Sequence, residues 1–210
     1  MADTFKEAEG CWQCGTPNPQ DLFCGICNSL QQPRFDYYRF FGLERRLRVD
    51  AEELQKRFYR LSRLLHPDRY TRKTPRERAY SLEATAILND AYRTLRDPVK
   101  RAEYVLKQAG FESREPRSKE VDPELLEEVF ELNMVIEELR GGDSSARPQL
   151  EIARDKFVAM REEMDRDLQN HFDDYDAAQS RETLQRIRSC LDRRRYVQNL
   201  VAEVERALSA

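Results

Sequence analysis

Glycine is scarce in this chain, 7 of 210 residues, and no stretch alternates Val, Ile or Thr with polar residues for any length. Those two absences argue against sheets and leave exposed helices as the default. No apolar run approaches the roughly 18 residues that a membrane span needs, so no membrane partner is expected. The opening MADTFKEAEG has neither an apolar signal core nor an Arg-rich presequence pattern, and a cytoplasmic protein is expected. A net charge of −3 leaves no basic excess for bulk nucleic-acid binding. Histidine occurs twice, and the sequence places no nucleophile or metal partner beside His66, so no enzyme is expected.

Charged residues are abundant, 36%, and they are segregated. Residues 45–73 hold ten Lys/Arg against four Asp/Glu, whereas residues 120–139 hold eight Asp/Glu and no Lys/Arg. Such polarity suits two partners of opposite charge, or docking of one segment on the other.

The cysteines carry the first specific signal. Cys11 and Cys14, then Cys24 and Cys27, form two Cys-x-x-Cys pairs with nine residues between them. Two thiolate pairs at this spacing can converge tetrahedrally on one Zn²⁺, with iron as an adventitious alternative. So short a segment buries no core of its own, and a structural zinc would supply its folding energy. Disulfides are disfavoured in the expected compartment, and a redox Cys-x-x-Cys lacks its βαβ context. Cys190 falls in a helical pattern and reads as a small buried hydrophobe.

The second signal is a helical pair. Asp50 begins a helix as N-cap, with Glu53 placed for a capping box. Leu54, Phe58, Leu61 and Leu65 share one face, while Lys56, Arg57, Arg60 and Arg63 form another with no acid beyond Glu53 to neutralise it. Pro67 forbids αR backbone at His66 and ends the helix at His66-Pro67-Asp68. A second pattern over 76–96 turns Ala84, Leu88, Ala91 and Leu95 inward, so the two helices pack antiparallel with the tripeptide at their corner.

A basic helix, HPD, and a helix ending LNDAYRTLRDP (88–98) resemble a J domain, and DYYRFFGL (36–43) resembles its short first helix. With DPVKRAEYVLKQAG (97–110), the four-cysteine head and an acidic helical region, the chain resembles the HscB-type iron–sulfur cluster co-chaperones that carry an N-terminal zinc knuckle. The resemblance implies docking on a DnaK-type (HscA-like) chaperone ATPase, with His66, Pro67 and Asp68 triggering ATP hydrolysis and Lys56, Arg57, Arg60 and Arg63 meeting an acidic patch. It also implies an IscU-type iron–sulfur scaffold protein as second partner.

The acidic helix opens at Asp122-Pro123-Glu124. Leu125, Val129, Leu132, Ile136 and Leu139 make a core stripe, and Leu126, Phe130 and Met134 fall on another side, flanked by Glu127, Glu131 and Glu138. That row is either a docking patch or a second buried face of the bundle. The resemblance favours docking and implies that Leu126, Phe130, Glu131, Met134 and Glu138, joined by Tyr196, bind the scaffold. Further stripes run through helices expected over 148–171 and 180–208, and the stripe of the last helix slips by roughly 100° near its middle.

The expected fold is all-α: a zinc-binding knuckle over 1–33, a J-domain helical hairpin over 34–110, a linker over 111–121, and a C-terminal three-helix bundle over 122–210. Self-association through the knuckle is open at this point. Three other functions are weighed: a general J protein for misfolded clients, disfavoured by the missing Gly/Phe-rich linker; a zinc-ribbon nucleic-acid adaptor, disfavoured because loop 15–23 has no Lys or Arg; and a redox enzyme using the Cys-x-x-Cys pairs, disfavoured by the missing βαβ context.

Overall fold

Three aspartates or threonines start the first helices, each by accepting backbone N–H groups that a helix N-terminus leaves unpaired. In the computed structural model, which describes residues 10–17, 22–33, 36–111 and 123–209, Asp36 caps α1 (Tyr37–Phe41) and Asp50 caps α2 (Ala51–Leu65). Thr74 caps α3 (Pro75–Arg96) through a capping box with Glu77. A 3-10 turn (Pro67–Tyr70) joins α2 to α3, and α4 spans Pro98–Gln108. Then come α5 (Pro123–Arg140), a 3-10 turn (Ser144–Ala146), α6 (Arg147–Ala178) and α7 (Arg181–Ser209). Among the described residues there is no strand, only two isolated bridges. The all-α expectation holds.

Two compact units divide the chain, Met1–Arg101 and Ala102–Ala210, with the division inside α4. Residues 112–122, most of the expected linker, lie outside the described residues, as do the side chains of 123–126.

In the first unit the predicted faces of α2 and α3 meet. Leu54, Leu61 and Leu65 are buried against Ala84, Leu88, Ala91 and Leu95, with Tyr38 and Phe41 of α1 closing one side. Phe58 stays half-buried and stacks on Tyr92, ring centroids 4.2 Å apart. Gly42 ends α1 at φ 65°, a left-handed conformation that glycine adopts without Cβ strain. Arg101 is buried; its Nε donates to the Leu47 carbonyl at 2.8 Å and Nη1 to that of Leu95.

In the second unit α6 and α7 form a long antiparallel hairpin. Arg194 grips Asp165 with two hydrogen bonds, 2.5 and 3.1 Å, and Arg161 reaches Gln198 at 2.9 Å. The hairpin buries Cys190, as expected; its thiol faces the Met164 carbonyl at 3.5 Å, and burial pushes its pKa up.

One expectation needs correction and another gains its physical reason here. Helix α6 runs seven residues past 171, because Phe172 and Tyr175 continue the Leu168 stripe inside an Asp-rich run, until Gln179 takes φ 47°. The slip in α7 is a change of neighbour. Its first half, with Leu184, Ile187 and Leu191, lies opposite the end of α6 in the antiparallel register. Its second half, Val197, Leu200, Val201 and Val204, packs into one core with Leu132 and Ile136 of α5 and Leu150 and Phe157 of α6. A single helix that serves both must rotate its apolar stripe between them.

Candidate functional site

Proline at position 67 removes an N–H that the last turn of α2 needs, so the carbonyls of that turn must find other donors. They find side chains. The phenol of Tyr70 donates to Leu64 O at 3.2 Å. From α3, Ser81 Oγ donates to Leu65 O at 2.6 Å, joined by Thr85 Oγ1 at 3.2 Å. Burial, with Glu77 adding to it, raises the Tyr70 pKa and keeps the phenol a donor. His66 is extended (φ −56°, ψ 128°), as a residue before proline must be. Its Nδ1 accepts the Asp68 N–H at 3.3 Å. Within this scaffold the Asp68 side chain is 85% exposed, and its carboxylate lies 3.6 Å from His66 Nδ1. We expect Ser81→Ala to lower stability by about 1 kcal/mol in denaturant unfolding, since the buried Leu65 carbonyl keeps only Thr85.

The basic face of α2 splits in two. Lys56 pairs with Glu52 at 3.7 Å and Arg57 with Glu53 at 2.6 Å. The expectation of an unneutralised face therefore fails for both, because the acids of the first turn stand one turn N-terminal to them. Arg57 also has a role inside the chain: Nη1 donates to Phe41 O at 3.0 Å and to Gly42 O, tying α2 to the end of α1. Glu53, bound to Arg57, takes that bond rather than the reciprocal half of a capping box. Arg60 and Arg63 are exposed, and among the described residues neither has an ion pair. Tyr59, 55% exposed, stands three residues from Lys56 and four from Arg63 on the same side. Sequence reasoning missed it, although that spacing was readable.

The four cysteine sulfurs lie within 4.8 Å of one another. Cys11 and Cys27 are 3.6 Å apart and Cys14 and Cys24 3.7 Å apart, against about 3.8 Å expected between thiolates around tetrahedral Zn²⁺. The halves are a repeat that the sequence reading overlooked: a shift of thirteen lays Gly10–Pro17 on Phe23–Leu30. Each half closes with a bridge, Gly10 to Pro17 and Phe23 to Leu30. Each has a left-handed residue after its second cysteine, Gly15 at φ 72° and Asn28 at φ 56°. Hydrogen-bond donors surround the sulfurs. Ser29 Oγ sits 3.4 Å from Cys11 and 3.1 Å from Cys27, and Gln31 Nε2 donates to Cys11 at 3.4 Å. Burial opposes ionisation of Cys11, but its bonds with Ser29 and with backbone N–H groups prevail and bring its pKa to about 5. Cys14, bonded to Thr16, is also lowered. Four soft sulfur donors at these separations fit a tetrahedral metal ion.

On α5, Leu132 and Ile136 are buried while Phe130 is 65% and Met134 49% exposed. Glu127, Glu131 and Glu138 are exposed beside them. Within the described residues of the bundle, then, no other helix covers the Phe130–Met134 row. The Leu126 side chain lies outside the described residues. Tyr196 on α7 is half-buried and packs against the bundle core, so only part of its ring is available to a partner.

A helical pair with His-Pro-Asp at its corner, followed by a helical bundle, defines a J-domain protein with a C-terminal helical domain. Comparison with known families agrees: residues 36–104 match the DnaJ domain and residues 121–205 the HSCB C-terminal oligomerisation domain. The chain is 31% identical over 187 residues to the iron-sulfur cluster co-chaperone protein HscB of Mus musculus, covering 86% of this chain and 78% of that one. For the Homo sapiens protein the figures are 32% over 184 residues, 85% and 76%. The crystal structure of human co-chaperone protein HscB superposes with a TM-score of 0.69 at 30% identity, covering 93% of this chain and 96% of that one. The chaperone HscB from Vibrio cholerae gives 0.59 at 28%, with 81% and 95% covered. The chain belongs to the HscB family of iron–sulfur cluster co-chaperones. None of its helices, among the described residues, is long and apolar enough to cross a membrane.

Proposed function

We propose that the protein brings an iron–sulfur scaffold protein to a DnaK-type chaperone and stimulates that chaperone's ATP hydrolysis, promoting cluster transfer. The observation that carries this reading is the exposure of Asp68 on a corner whose backbone is held by Tyr70, Ser81 and Thr85. A fixed, solvent-facing carboxylate suits a charge-assisted bond to a partner arginine. Stimulation requires that the contact be stronger in one state of the partner enzyme than in another. This chain itself makes and breaks no covalent bond in the process.

Arg60 and Arg63 steer the encounter, with Lys56 and Tyr59 beside them, and Arg57 acts indirectly by holding α1 against α2. We expect Arg60→Ala with Arg63→Ala to slow association with the chaperone about tenfold at low salt and to flatten its ionic-strength dependence in stopped-flow binding. On α5, Phe130 and Met134 with Glu131 and Glu138 bind the scaffold, joined by the exposed part of Tyr196 on α7; the family resemblance assigns Leu126 to the same partner. Holding both partners raises their effective concentration towards one another.

Cys11, Cys14, Cys24 and Cys27 hold one structural zinc, which when bound supplies a closed tetrahedral cross-link and folding free energy of order 10–16 kcal/mol. Metal analysis of the purified chain is expected to find one zinc per molecule. The whole reading is tested by a single-turnover ATPase assay of the cognate chaperone, with and without the scaffold. No acceleration by this chain in either case would falsify it.

A further inference from the structure

The cysteine knuckle and the His-Pro-Asp corner meet on one stretch of α3. Trp12 lies inside the first Cys-x-x-Cys, and its indole N–H donates to Leu30 O at 2.7 Å, linking the two halves of the knuckle. Outward, its ring meets the Tyr80 ring edge-on, centroids 6.4 Å apart at 80°. The Arg76 guanidinium sits over the same ring at 5.3 Å. Arg76 and Tyr80 are one helical turn apart on one face of α3. Between them stands Glu77, which closes the cap with Thr74, and next to Tyr80 stands Ser81, which holds Leu65 O beneath the corner. The first two turns of α3 thus carry the knuckle on one side and the anchor of His66–Asp68 on the other.

We propose that the knuckle is a metal-dependent clamp on the start of α3, and that Trp12, Arg76 and Tyr80 are positioning residues for the corner. Among its described residues the knuckle is held by two isolated bridges, a few turn hydrogen bonds and the side-chain bonds of Trp12, Ser29 and Gln31, with no packed core. Without a central ion such a segment does not keep a fixed fold, and Trp12 loses its seat. The start of α3 then frays more readily, since helix ends open locally first. The activity consequence rests on the function proposed above; the clamp itself does not.

The test uses the full, reduced chain, zinc-loaded or stripped with a chelator. Trp12 is the sole tryptophan, so its emission reports the seat directly. Stripping zinc is expected to red-shift that emission and to speed amide exchange over 66–81 about tenfold while leaving 147–209 unchanged. Tyr80→Ala, still holding one zinc, is expected to reproduce the faster exchange and to weaken ATPase stimulation several-fold. Tyr80→Phe, which keeps the ring contact, is expected to restore both. Arg76→Gln, a milder change, is expected to give a smaller rise over the same residues. Faster exchange confined to 10–33 on zinc removal overturns the clamp, and so does wild-type exchange over 66–81 in Tyr80→Ala or, where that variant does not fold, in Arg76→Gln. If exchange responds as expected but the wild-type chain never accelerates the ATPase, the clamp stands and the proposed function falls.

Discussion

Asp68→Asn is expected to leave the chaperone's single-turnover ATP hydrolysis at its unstimulated rate. The argument is one of isolation. Among the described residues, the contact of the Asp68 carboxylate is His66 Nδ1 at 3.6 Å, with 85% of the side chain in solvent. An exposed group of that kind contributes within about 0.5 kcal/mol to stability, so the variant should unfold at the wild-type denaturant concentration. The backbone of the corner does not depend on the carboxylate either: it rests on Pro67, on the Asp68 N–H to His66 bond, and on the hydroxyls that hold Leu64 O and Leu65 O. Asn keeps the shape and removes the charge, and with it a charge-assisted bond roughly twice as strong as its neutral counterpart. Circular dichroism and scaffold affinity should be unchanged in the same preparation. A variant that retains more than half of the wild-type acceleration would show that the carboxylate is not what the partner reads.

Phe130→Ala is expected to weaken scaffold binding about 30-fold, near 2 kcal/mol, the loss typical of a central aromatic anchor. A Phe with 65% of its surface in water contributes little to the bundle but has most of its ring left to bury on a partner. The surrounding Glu127, Glu131 and Glu138 give the patch a negative rim, which suits a basic partner face. Titration calorimetry measures the affinity; stimulation without scaffold serves as the internal control. Phe157 makes the contrast. It is buried in the bundle core, and Phe157→Ala should cost the fold about 3–5 kcal/mol rather than cost the interface anything specific. If Phe130→Ala binds the scaffold as the wild type does, the exposed row of α5 is not the docking surface.

Much of this protein was legible residue by residue wherever the deciding partner stands within a turn or two. Asp36, Asp50 and Thr74 find the N–H groups two or three residues on, and Pro67 ends α2 by its own ring. The Cys-x-x-Cys pairs close their turns with local bonds such as Gly15 N–H to Cys11 O and Asn28 N–H to Cys24 O. Even two oversights, the thirteen-residue repeat and the Phe172–Tyr175 continuation of α6, were written in local spacing and masked by loop composition in one case and by aspartates in the other.

Other features depend on chain segments far away in sequence, and no local rule reaches them. Arg57 looked like a surface cation until the end of α1 was placed beneath it, sixteen residues earlier in the chain. The stripe of α7 turns because α5 enters its surroundings only along its second half. Phe130 and Met134 could equally have been core on the strength of their spacing; they are open because no other helix of the bundle, among the described residues, lies over them. Trp12 stands inside the first Cys-x-x-Cys, yet its seat against Arg76 and Tyr80 exists only once α3 is beside it. Amino-acid order alone therefore determined the helices, the paired Cys-x-x-Cys turns and the tripeptide at the corner, because hydrogen bonds and steric limits act over a few residues. Which faces are covered, which charges are already satisfied and where the knuckle rests were decided by tertiary packing, because burial depends on what the rest of the chain brings alongside.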